Sequence, residues 1–292
     1  MTILITGATG KIAQHLIPSL LDQGQPVRAM VRSPDKEATL AQQGARTVIA
    51  SFEDAESLDK AFAGVETLLF VTPPHEQAAA WASAGLAAAK RAGIKRIVRI
   101  SALLAGSDGP SDNNRQHGGT DDELRVCGIP SVILRPHFFM QNLLADVPTL
   151  KAQDTLYAAA GNAKLSMIDT RDIADVARCA LLSSAWDGNT YDLTGPTSVS
   201  FHEIAEELSE QLGREIKYRP VSPEALAQSI RDMGLGEWFA QGFHDYLLAY
   251  SRGWGDFTTN AVQAILGKQA RTFRQFAKEV LVPELSETVQ AA

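Results

Sequence analysis

The chain predicts an α/β protein, a doubly wound parallel sheet followed by a smaller, mixed C-terminal domain. Three observations lead there. Over residues 1–135, short apolar runs alternate with helical patterns at a regular interval. Runs such as Thr67-Leu-Leu-Phe-Val71 are apolar at almost every position, as strands are when both faces of a parallel sheet are covered. The stretches between them are long enough to hold a helix, which implies right-handed βαβ crossovers.

Taken in order, strands are expected at 2–6, 26–31, 45–50, 66–71, 96–100 and 130–135, with helices at 11–23, 34–43, 54–63, 75–92 and 118–127. Beyond 135 the rhythm breaks. Strand-like segments at 155–160, 164–168, 189–194 and 216–221 fall among helices near 171–183, 200–212 and 222–234, and the last sixty residues read as helical. The expected division is a nucleotide-binding domain over 1–150 and a smaller domain over 151–292. The two are interleaved through the strands near 164–168 and 189–194, which can return to the main sheet.

The chain has 292 residues, 45% hydrophobic and 21% charged, the balance of a globular protein with a sizeable core. A formal net charge of −7 and the absence of a Lys/Arg cluster argue against a nucleic-acid surface. No apolar run approaches the roughly 18 residues a membrane span requires. The first strand begins at the initiator methionine, which speaks against a cleaved leader. Cys127 and Cys179 lie in apolar helical contexts without metal spacing, so reduced thiols in a cytoplasmic protein are expected. No metal site is evident.

The most informative segment is Thr6-Gly-Ala-Thr-Gly-Lys-Ile-Ala13, directly after the first strand. Gly7 and Gly10 permit a tight turn and a closer approach of backbone to a diphosphate than a Cβ would allow. The N–H groups and positive dipole end of the next helix then face the phosphates. Thr9, Lys11 and Ile12 belong to the same cradle. It is not a P-loop, because Gly10-Lys11 is followed by Ile12 rather than Ser or Thr. The reading is a Rossmann-type dinucleotide site.

The end of the second strand selects the dinucleotide. An acid there binds a ribose 2′-hydroxyl, whereas an arginine accommodates a 2′-phosphate. No carboxylate occupies 27–32, Arg32 stands where the acid would be, and Lys36 adds a second cation. NADP(H) is therefore expected over NAD(H). Thr72-Pro73-Pro74 ends the fourth strand and holds an extended segment at the carboxyl edge of the sheet. Ser101 ends the fifth strand at the same edge, either as a contact to nicotinamide or substrate or as a turn serine.

With these residues in place the chain resembles the NmrA-like group of atypical short-chain dehydrogenase/reductases over nearly its full length. The matching segments are Thr6-Gly-Ala-Thr-Gly10, Val31-Arg32, Leu69-Phe-Val-Thr-Pro-Pro74, Ala92-Gly-Ile-Lys-Arg-Ile97 leading to Ser101, and Leu134-Arg-Pro-His-Phe-Phe-Met-Gln-Asn142. Ile168-Asp-Thr-Arg-Asp-Ile173, Tyr191-Asp-Leu-Thr-Gly-Pro196 and Arg271-Thr-Phe-Arg-Gln-Phe276 match as well. The resemblance implies either an NADPH-dependent reductase of quinones, dyes or iminium compounds, or an NADP-sensing regulator without catalysis that signals through a protein partner.

One departure from the wider superfamily matters. None of the five tyrosines is followed by Lys four residues on, so the Tyr-x-x-x-Lys pair that protonates a reduced carbonyl is missing. In related reductases a lysine often occupies the helix after the loop, and the aligned residue here is Asp122. Alcohol–ketone and sugar-nucleotide epimerase chemistry are thereby disfavoured. What remains is hydride transfer governed by proximity and orientation, to an acceptor that needs no strong protein acid. The resemblance places that acceptor between the strand ends and the C-terminal domain, against Phe138, Phe139 and Asn142. Trp238, Phe239, Phe243 and Trp254 are candidates for its far wall, with plain helix packing as the alternative.

Three further signals have competing readings. Ser200-Phe-His-Glu203 reads as a capping box rather than half of a zinc motif. Asp169 and Asp172 read as helix-capping residues rather than an acid–base pair. His117, in the Gly/Asn/Asp-rich stretch 105–119, is either a proton donor or a solvated loop histidine, and that stretch has the composition of a mobile lid.

Overall fold

A computed structural model describes residues 1–286 and contains two units. The first comprises Met1–Pro136 and Thr170–Leu193; the second comprises His137–Asp169 and the chain from Thr194 onward.

The first unit is built on a seven-stranded parallel sheet of order β3-β2-β1-β4-β5-β6-β9. Its strands are β1 (Ile3–Ile5), β2 (Val27–Val31), β3 (Arg46–Ile49), β4 (Thr67–Phe70), β5 (Arg96–Ile100), β6 (Ser131–Pro136) and β9 (Thr190–Leu193). Every residue of β1, β4 and β5 is buried, the pattern of strands covered on both faces. The crossovers carry α1 (Ala13–Leu21), α2 (Glu37–Gln42), α3 (Ala55–Phe62), α4 (Ala78–Ala92), α5 (Asp112–Val126) and α7 (Thr170–Leu182). α1 packs with α7, which lies along β4, β5 and β6, while α4 packs between α3 and α5. Leu4, Phe62, Leu68, Phe70, Leu86 and Ile97 lie in one core cluster. Strand order reverses between β1 and β4, the switch point at which open α/β sheets leave a crevice for ligands.

The second unit holds α6 (Val147–Gln153), β7 (Thr155–Ala158), β8 (Lys164–Leu165), β10 (Val199–Ser200), α8 (Phe201–Leu212), β11 (Lys217–Pro220), α9 (Pro223–Asp232), α10 (Glu237–Ser251) and α11 (Ala261–Leu266). α12 (Phe273–Phe276) runs on through Ala277–Leu281 into α13 (Val282–Ser286). Ser200 and Glu203 form the capping box of α8 in both directions. The final stretch is helical in three pieces, and residues 287–292 lie outside the described ones.

The structure departs from the sequence reading at three places, each for a packing reason. The first change of unit falls after Pro136 rather than at 150, because Met140, Leu143 and Leu150 belong to the core of the second unit. The segment at 164–168 does not join the seven-stranded sheet: Lys164–Leu165 pairs antiparallel with Val199–Ser200, while Leu165 and Met167 enter that same second core. The helix expected at 118–127 begins at Asp112, so His117 is helical rather than in a loop. Ser111 caps that helix by accepting from Asn114 N–H, and Asn114 Nδ2 donates to Leu103 O at 2.8 Å. A Cβ on Gly118 would come within 2.6 Å of Gly106 backbone atoms, so the two glycines let the helix close directly on the preceding loop. The stretch read as a lid is thereby tied down at several points.

Candidate functional site

The glycine turn leaves β1 at the switch point. Thr6 ties it to β4: its hydroxyl donates to Val71 O at 2.8 Å and accepts from Val71 N–H at 2.7 Å. Gly7 takes a left-handed φ of +66° directly above Val71, where a Cβ would sit 3.2 Å from Val71 Cβ and Cγ1. A Cβ on Gly10 would meet Gly7 O at 3.1 Å. Ala8 is buried while Thr9 and Gly10 are exposed, so the turn presents backbone outward. Ile12 is the N-cap of α1 and supplies no side-chain cap, while Gln14 N–H and His15 N–H donate back to Gly10 O and Ile12 O, both at 3.1 Å. Burial holds the Lys11 ammonium below the usual lysine range.

Arg32 directly follows β2, and Lys36 ends the short helical turn Pro34–Lys36. Both are exposed, and among the described residues neither side chain has a protein partner. Two uncommitted cations beside a glycine cradle, with no carboxylate at the end of β2, fit a dinucleotide carrying a 2′-phosphate.

At the ends of β4, β5 and β6 the first unit holds a polar cluster that the sequence reading resolved only in part. Thr72 is buried and accepts from Arg99 Nη2 at 3.2 Å; Pro73 and Pro74 follow it in irregular backbone. Arg99 is itself buried within β5 and also donates to Phe70 O at 3.3 Å and to His117 Nδ1 at 3.1 Å. Burial lowers its pKa to about 10, with Asp121 opposing, so it stays cationic at neutral pH.

Ser101 is buried, and its hydroxyl donates to Asp121 Oδ2 at 2.8 Å. Arg135 Nε and Nη2 approach the same oxygen at 2.9 and 2.8 Å. Asp121 Oδ1 is buried without a partner among the described residues. Burial raises the pKa of Asp121, against the opposing pull of Arg99, Arg135 and the Ser101 hydroxyl.

The acid that faces the strand ends is thus Asp121, whereas Asp122 is exposed and pairs with Arg125 at 2.6 Å. His117 is not a solvated loop histidine. It lies one helical turn before Asp121, and burial followed by the Arg99 and Arg135 charges lowers its pKa to about 3. Arg99, Asp121 and Arg135 were not singled out from sequence. The available signal was an arginine inside the otherwise apolar run Ile97-Val-Arg-Ile100, where a buried strand admits a charge only with partners.

The acceptor-side candidates belong to the second unit. Phe138 is half-buried, edge-on to Tyr250 with centroids 6.2 Å apart, and packs on the second core. Phe139 is half-buried and bridges in parallel to Ile168. Asn142 is half-buried, its N–H donating to Phe139 O at 2.9 Å. Trp238 stands half-buried on the first turn of α10. Phe239 stacks with Phe243 at 6.3 Å, and the partly buried Trp254 packs against Tyr246 and Tyr250 beside the second core.

Among the described residues there is no group of three or more His, Cys, Asp or Glu that could hold a metal, and no helix is long and apolar enough to cross a membrane.

A model of the NmrA-like family matches residues 1–262. The chain belongs to this family. It is 32% identical over 280 residues to an NAD(P)H azoreductase of Xenophilus azovorans, covering 94% of this chain and 96% of that one. It is 30% identical over 261 residues to quinone oxidoreductase 2 of Escherichia coli, covering 86% and 88%. The structure of that oxidoreductase complexed with NADPH superposes with a TM-score of 0.85 over 96% of this chain and 99% of the other, at 28% identity. The triphenylmethane reductase of Citrobacter sp. complexed with NADP(H) gives a TM-score of 0.82 over 95% and 99%, at 27% identity.

Proposed function

We propose that this NmrA-like protein is an NADPH-dependent oxidoreductase that transfers hydride to a quinone, imine or similarly activated small molecule without a Tyr-x-x-x-Lys pair. The observation that carries this reading is the α5 face opposite Ser101. It presents His117 and Asp121, committed to Arg99 and Arg135, where a carbonyl reductase needs a tyrosine and a lysine. The azoreductase, quinone-reductase and dye-reductase relatives, two of them solved with NADP(H), support it.

When bound, the reduced nicotinamide supplies the hydride. Gly7, Thr9, Gly10, Lys11 and Ile12 hold the diphosphate, Arg32 and Lys36 receive the 2′-phosphate, and Thr72, Pro73, Pro74 and Ser101 border the nicotinamide end. Because the Ser101 hydroxyl proton is engaged by Asp121, its oxygen is left to accept a hydrogen bond. Phe138, Phe139, Asn142 and Trp238 contact the acceptor. The compartment that fits two free cysteines is the cytoplasm.

The test is consumption of NADPH, compared with NADH, against a panel of quinones, azo dyes, iminium salts and triarylmethane cations. Turnover with NADPH preferred supports the reading. Tight NADPH binding with no turnover above background across the panel would replace it with the sensor function, which the missing Tyr/Lys pair also allows.

A further inference from the structure

Arg99 fixes the chemical state of His117. A guanidinium carries only N–H donors, so the imidazole nitrogen 3.1 Å from Arg99 Nη2 must present its lone pair. That nitrogen is Nδ1, and the ring proton is therefore on Nε2. The same Arg99 nitrogen holds Thr72 Oγ1 at 3.2 Å, which places the imidazole beside the end of β4. Among the described residues nothing accepts from Nε2, and the residue is half-buried.

The charged groups around it are Arg99 on β5, Arg135 on β6 and Asp121 on α5. Asp121 is occupied by Ser101 and Arg135 rather than by the imidazole. Protonating Nδ1 would break the bond to Arg99 and set a third cation beside two. A neutral imidazole does not serve as a proton donor, but a fixed neutral N–H polarises a carbonyl well.

We propose that the Nε2–H of His117 is the hydrogen-bond donor to the acceptor atom on which charge collects during reduction: a quinone oxygen or an azo or imine nitrogen. This rests on the reductase reading above. Reduction of a quinone by two electrons adds hydride from the nicotinamide and leaves an oxyanion. That oxyanion accepts from Nε2–H, His117 keeps its proton, and solvent supplies the proton that completes the hydroquinone. A triarylmethane cation takes hydride on its central carbon and develops no such anion, so its reduction does not use His117. The residue thereby separates the two acceptor classes.

The experiment compares wild type, His117→Phe and His117→Gln with menadione and with malachite green as acceptors, together with the Kd for NADPH. Phenylalanine keeps the ring but removes the donor, whereas glutamine can accept from Arg99 and donate outward. We expect His117→Phe to lower kcat with menadione by about 100-fold. Its rate with malachite green and its Kd for NADPH should stay within about threefold of wild type, and His117→Gln should recover most of the menadione rate. Equal loss with both acceptors, or full menadione activity in His117→Phe, would overturn the proposal. If wild type reduces neither acceptor, the reductase reading fails first. The proposal is then judged by nitrogen-15 NMR of His117 in the NADP+ complex, where menadione must shift the protonated Nε2 resonance; an unmoved resonance overturns it.

Discussion

The Ser101 hydroxyl lies 2.8 Å from Asp121 Oδ2, the same oxygen that receives the Arg135 fork. One carboxylate therefore orders the ends of β5 and β6 and balances the buried Arg99 and the half-buried Arg135 at once. Asp121→Asn leaves Arg99 and Arg135 without their counter-charge. We expect it to lower unfolding free energy by about 3 kcal/mol, as removal of one partner from a buried pair does, measured by urea denaturation. Ser101→Ala removes one hydrogen bond and should lower stability by about 1 kcal/mol.

Arg32 and Lys36 set cofactor choice. Arg32→Ala should raise the Kd for NADPH by about 10- to 100-fold, the worth of a lost charged hydrogen-bond pair, and leave NADH nearly unchanged. Cofactor fluorescence titration checks it, and equal weakening of both would remove the 2′-phosphate assignment.

Asp146 sits in the second unit with burial raising its pKa to about 7. The folded state thus holds the proton more tightly than the unfolded chain, whose carboxyl titrates near 4. Stability is undiminished below about pH 4, falls as pH rises toward about 7, and stays reduced above it. Asp146→Asn should therefore raise Tm by several degrees at about pH 8 and change it little at about pH 4. A thermal scan at both pH values decides this.

His137 behaves in the opposite sense. Burial lowers its pKa to about 4, against the hydrogen bond with Gly255 O at 3.0 Å. His117 is lowered further, to about 3. Both are neutral in the fold, so their contribution is fully present above the ordinary histidine pKa near 6.5 and is lost as pH falls toward about 4 for His137 and about 3 for His117. Tm should drop over that window, and His137→Asn should flatten part of the drop. An unchanged slope would assign the acid sensitivity elsewhere.

Much of this arrangement was legible in the sequence because it depends on local chemistry. Gly7 and Gly10 mark a backbone that must turn and stay uncovered, and Arg32 stands one residue beyond a strand whose apolar run is plain. The polar cluster was less legible because helix phase decides it. A shift of one residue separates the buried Asp121 from the exposed Asp122, and the first turns of α5 carry Asp, Asn and Gly, poor helix formers on average. The Ser111 cap, the Asn114 bond to Leu103 O and the contact of Gly118 with Gly106 support the helix there, and the last two are tertiary. The fate of β8 was hidden for a similar reason, since two residues are too few to specify a partner strand by pattern.

Hydride delivery itself is tested most directly with NADPH carrying deuterium at C4 and a triarylmethane cation, whose reduced central carbon does not exchange with water. Mass spectrometry of the product from a single turnover should show deuterium from one face of the nicotinamide only. Oxidation of NADPH with an undeuterated product from both labelled faces, or binding of NADPH with no product at all, would contradict the assignment of this protein as a hydride-transferring reductase.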